Sequence, residues 1–60
     1  MDKLYDLEEV SKILQVHIET VRRYIKSGAL RAAKIGKAYR VQERDLQAFI
    51  EARIKEAPEE

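Results

Sequence analysis

Apolar residues recur twice with the same helical spacing. Leu7, Val10, Ile13 and Leu14 form one set, and Ile18, Val21, Tyr24 and Ile25 repeat it eleven residues later. Steps of three and four residues place each set along one side of an α-helix. Gln15 and Val16 break the pattern between them, so the two helices must meet through a tight turn. Each apolar face needs a partner to bury it. A chain of 60 residues can supply only one small core, so it makes a single domain with no room for a catalytic domain beside a binding domain.

Local signals set where the elements begin and end. Asp6 is placed to accept from the backbone N–H of Glu9 while Glu9 reaches back, a capping box that opens a first helix over Asp6 to Leu14. A second helix is predicted over 17–27, with His17 as N-cap, Val16 and Val21 as a hydrophobic staple, and Gly28 in left-handed geometry at its exit. From Ala33 to Val41 the period falls to two around Gly36-Lys37, which signals a hairpin with a two-residue loop. Ala33, Ile35, Tyr39 and Val41 are expected on one face of that hairpin, and Lys34 and Arg40 on the other. Glu43 to Lys55 reads as a third helix with an apolar stripe of Leu46, Phe49, Ile50 and Ile54. Glu43 and Asp45 in its first turn and Arg53 and Lys55 in its last suit the helix dipole.

The expected fold is thus mainly α with a small β-hairpin, in the order helix, turn, helix, hairpin, helix. Residues 1–56 form one domain and residues 57–60 an acidic disordered tail. Val10, Leu14, Val21, Ile25, Leu30, Ile35, Phe49 and Ile50 are expected to share the core.

Composition closes off several classes of function. There is no Cys, which excludes disulfides and thiolate metal sites. The longest unbroken apolar run, Ala48-Phe49-Ile50, is too short for a membrane span or a signal peptide, so the cytoplasm is the expected compartment. His17 is the single histidine and Ser11 and Ser27 are the serines, and no nucleophile, base and orienting group are set together. Glu8-Glu9 and Glu59-Glu60 are sequence neighbours, whose side chains point apart rather than converge on a metal. Two glycines do not make a phosphate-cradling loop. No catalysis, metal or cofactor is expected.

The charge pattern points elsewhere. Arg22, Arg23, Lys26, Arg31, Lys34, Lys37 and Arg40 crowd a window from Arg22 to Gln42 that contains no Asp or Glu, a formal charge of +7. The rest of the chain carries five basic and eleven acidic residues, or −6, so the net charge of +1 conceals a strong polarisation. One surface is built to meet a polyanion while the others stay hydrated. A merely solvated basic face, with Glu19 paired to Arg23 one helical turn on, is the plain alternative. Two short helices with a tight turn, the second basic on its outer face, match the geometry by which an α-helix enters the DNA major groove. A basic hairpin after that helix is placed to reach the backbone or the minor groove beside it.

Four stretches also resemble a known family. Residues 7–16, LEEVSKILQV, resemble the first helix and turn of excisionase-type, MerR-like winged helix-turn-helix domains. Residues 20–30, TVRRYIKSGAL, resemble their recognition helix and its exit, residues 34–41, KIGKAYRV, their wing, and residues 45–50, DLQAFI, their last helix. The resemblance runs from about Leu4 to Ile54. It implies a DNA-binding module with helix 17–27 in the major groove and wing 33–41 on the flanking backbone or minor groove. Thr20, Arg22 and Arg23 would be recognition-helix contacts and Lys37 and Arg40 wing contacts, with Lys26 and Lys34 adding charge to the same two elements. Tyr24 would be core or a phosphate contact, and mainly core. Gln15 stands where the family's turn usually has Gly, Ile18 where a basic residue is frequent, and His17 where Ser usually caps, its ring free to donate to a phosphate.

The resemblance implies a recombination directionality factor, working beside a recombinase or with other copies of itself on repeated sites, or a small transcriptional regulator. The free chain is expected to be monomeric. MerR-type regulators add a long dimerisation helix and an effector domain, neither of which this sequence carries, so a ligand sensor is not expected. The alternative is a protein-interaction module that keeps the fold and docks an acidic partner.

Overall fold

A computed structural model describes residues 3–56. The elements are β1 (Leu4–Tyr5), α1 (Leu7–Leu14), α2 (Ile18–Ser27), β2 (Ala33–Ile35), β3 (Ala38–Gln42) and α3 (Glu43–Glu56). This is a winged helix-turn-helix architecture, as expected. The predicted tail at 57–60 lies outside the described residues.

The capping box at the start of α1 forms in both directions. Glu9 N–H donates to Asp6 Oδ1 at 2.7 Å and Asp6 N–H to Glu9 Oε1 at 2.9 Å. Gln15 ends α1 in the left-handed region at φ 59°, which reverses the chain into the turn without a glycine. His17 stands at the N-cap of α2 in extended geometry, but its ring makes no capping hydrogen bond. Gly28 closes α2 at φ 86°, a backbone region where a side chain would be strained. Leu30 N–H then donates to the Tyr24 carbonyl at 3.1 Å and folds the exit back over the last turn.

β1 was not foreseen from the sequence. Leu4 pairs with Gln42 and Tyr5 with Val41, giving a three-stranded antiparallel sheet in the order β1-β3-β2. Glu43 N–H extends this ladder to the Lys3 carbonyl at 2.9 Å. The two ends of the fold are thereby stitched together across the root of β3.

The core is small and apolar. Val10, Val21, Leu30, Val41, Leu46 and Phe49 are buried, one or two from each helix plus the α2 exit and β3. Leu14, Ile25 and Ile50 pack against it in part, as does Tyr24. Two expectations are corrected. Ile35 is 55% exposed rather than core, and Ile54 at 67% exposure does not continue the buried stripe of α3. The hairpin shows why Ile35 fails. A two-residue loop pairs Ile35 with Ala38, Lys34 with Tyr39 and Ala33 with Arg40, and paired residues project to the same face. Ala33, Ile35 and Arg40 therefore share one face, while Lys34 and Tyr39 share the face of Val41, contrary to the assignment made by counting in twos through the loop.

Candidate nucleic-acid interface

The outer face of α2 follows from its inner one. Val21 is buried and Tyr24 and Ile25 half-buried, so steps of about 100° turn Glu19, Arg22, Arg23 and Lys26 outward. All four are exposed. The pairing of Glu19 with Arg23 does not form; Arg23 Nη2 instead points to Thr20 Oγ1 at a long 3.4 Å. His17 is exposed at the helix start and Thr20 half-buried one turn on.

The wing stands beside this face. Lys37 is exposed at the tip, next to Gly36, whose φ of 65° makes the two-residue turn. Lys34 is exposed, its Nζ 5.8 Å from the centre of the Tyr39 ring. Arg40 is half-buried and donates from Nη1 to the Tyr39 carbonyl at 3.1 Å.

Helix and wing meet in two depressions. One is lined by Glu19, Arg22, Arg23, Ile25, Lys26 and Tyr39. The other is lined by Leu7, Arg22, Lys37, Ala38, Tyr39 and Arg40. Arg22 and Tyr39 belong to both. Through these two residues Arg23 and Lys26 of the helix adjoin Lys37 and Arg40 of the wing, with Lys34 beside the Tyr39 ring, while His17 and Thr20 line neither depression. Glu19 is the acidic residue within this basic surface. A third depression lies on the other flank of α2, lined by Thr20, Arg23, Tyr24, Lys26, Ser27 and Arg53.

Two lining residues escaped the reading of the sequence. Tyr39, expected only to share a hairpin face with Val41, is 37% exposed and lines the cleft between the wing and α2. Arg53 passed for a helix-dipole residue, yet it lies over Tyr24 and Phe49. Its position four residues after Phe49, on the same side of α3, was the available signal. Among the described residues no group of three or more His, Asp or Glu is placed to hold a metal ion, and no helix is long and apolar enough to cross a membrane.

The helix-turn-helix domain family matches residues 4–54. No curated protein and no solved structure matches the chain. The matched span is the one over which the four sequence stretches resemble winged domains of this kind, and it covers every element from β1 to most of α3.

Proposed function

Because the chain belongs to this helix-turn-helix family and is a DNA-binding protein, we propose that α2 enters the major groove while the β2–β3 wing lies along the flanking backbone. The observation that carries this reading is Arg22. It lines both the cleft beneath Tyr39 and the depression beside Lys37 and Arg40, so helix and wing present one continuous basic surface. Side chains spaced three and four apart on a helix of groove width reach base edges and phosphates together. In this reading Thr20, Arg22 and Arg23 address base edges. His17 and Lys26 address phosphates near the ends of α2, and Lys34, Lys37 and Arg40 the backbone beside it.

One copy presents one recognition helix and reads few base pairs, and each mismatch is worth about 1–3 kcal/mol. Specificity then comes from placing several monomers on repeated sites. That arrangement suits an excisionase-like directionality factor beside a recombinase, and it serves a small transcriptional regulator equally.

Dimethyl sulfate interference on duplexes selected from a random library tests the docking. Guanine N7 lies in the major groove, so its methylation within the selected site should block binding. Binding indifferent to that methylation would overturn the placement of α2. Failure to retain any duplex at low salt, together with retention of an acidic protein, would favour the protein-docking alternative. Sedimentation of the free protein and footprints on single and tandem sites test the arrangement: a monomer and tighter binding per site on tandem duplexes are expected.

A further inference from the structure

We propose that Arg53 contacts a phosphate on the groove wall opposite the wing, so that the DNA backbone is gripped on both flanks of α2; this rests on the docking of α2 described above. Arg23 and Lys26 form the crest of the helix, because they line depressions on both of its sides. On one side the depression ends at Tyr39 of the wing. On the other it ends at Arg53 of α3, past Thr20, Tyr24 and Ser27. The major groove is roughly 12 Å wide and bounded by two phosphate walls. A helix whose crest enters it turns each flank toward one wall. The wing faces one wall with Lys37 and Arg40, and Arg53 is the cation that faces the other.

The setting of Arg53 suits it to that contact. Its guanidinium carbon lies 5.1 Å from the ring centre of Tyr24 and 5.0 Å from that of Phe49. The two rings are themselves 5.0 Å apart and tilted by 48°, so the guanidinium sits over an aromatic pair partly buried in the core. Contact through the π faces holds the group in place without using its five N–H donors. Among the described residues no carboxylate pairs with it, and the side chain is exposed. A charge already held in place loses less rotamer freedom on meeting a phosphate than a free surface lysine does. Ser27 does not compete for the role, since its hydroxyl donates to the Tyr24 carbonyl at 3.1 Å.

The test compares Arg53→Gln with Lys37→Ala on one selected duplex, after thermal melts show that both variants fold. Each should flatten the slope of log affinity against log salt by about one unit. Ethylation interference, which neutralises phosphates one at a time, should fall on both groove walls for the parent. Arg53→Gln should lose its sensitivity on one wall and Lys37→Ala on the other. A folded Arg53→Gln protein with the parent's slope and pattern overturns the proposal. If Arg53→Gln does not fold, the parent decides: interference confined to the wall that Lys37→Ala affects overturns it equally. A parent without any interference removes the docking of α2 itself, a failure distinct from that of Arg53 alone.

Discussion

α3 and β2 both pack beside β3, and they bury opposite amounts. α3 contributes Leu46 and Phe49 to the core and lays Ile50 against it. All three residues of β2 are exposed, Ile35 included. β3 carries the boundary within itself: Val41 is buried at its root, where β1 and α3 join it, while Tyr39 and the Gly36-Lys37 tip project outward. The root of the strand belongs to the fold and the tip to the proposed binding surface. In so small a protein a charged wing persists because its register is fixed by β3, and β3 is anchored at its root by α1, α3 and β1. Stability and the proposed DNA contact therefore fall to different residues of the same hairpin.

That division is open to attack from the side of α3 first. Phe49→Ala removes a ring that packs on Tyr24 and lies under Arg53. It should cost about 3–5 kcal/mol, near the whole stability of such a domain. A cooperative urea or thermal melt little changed in this variant would refute the packing. Asp6→Ala comes next. It deletes one half of the capping box that starts α1 and should cost about 1 kcal/mol, or roughly 4–8 °C in melting temperature. No measurable shift would mean that the box is incidental to the helix. Ile35→Ala sharpens the contrast from the other side. An exposed β2 side chain should change stability by no more than about 0.5 kcal/mol. A loss as large as that of Asp6→Ala would return Ile35 to the core, where the sequence pattern put it.

The helices were legible because their signals are local. Asp6 with Glu9, Gly28, and the apolar steps of α1 and α2 each specify a boundary or a face within a few residues. The hairpin loop was legible for the same reason. What was not legible depends on pairing. Leu4 and Tyr5 are too short a run to show any period, and β1 exists only because β3 offers it an edge. The parity of Lys34 and Tyr39 is set by the loop, not by the count along one strand. The basic residues of the candidate interface stood out through charge alone. The meeting of helix and wing at Arg22 and Tyr39, and the approach of Arg53 from α3, needed the three-dimensional fold.

The division of labour within the hairpin is tested most directly by Lys37→Ala, measured both for melting and for duplex binding across a salt series. Lys37 is exposed beside the glycine of the turn and buries nothing. The melting temperature should stay at the parent's value. The slope of log affinity against log salt should flatten by about one unit, and the loss should be the same on a selected duplex and on random DNA. Parent-like binding throughout the series, or a fall in melting temperature as large as that of Asp6→Ala, would contradict the account.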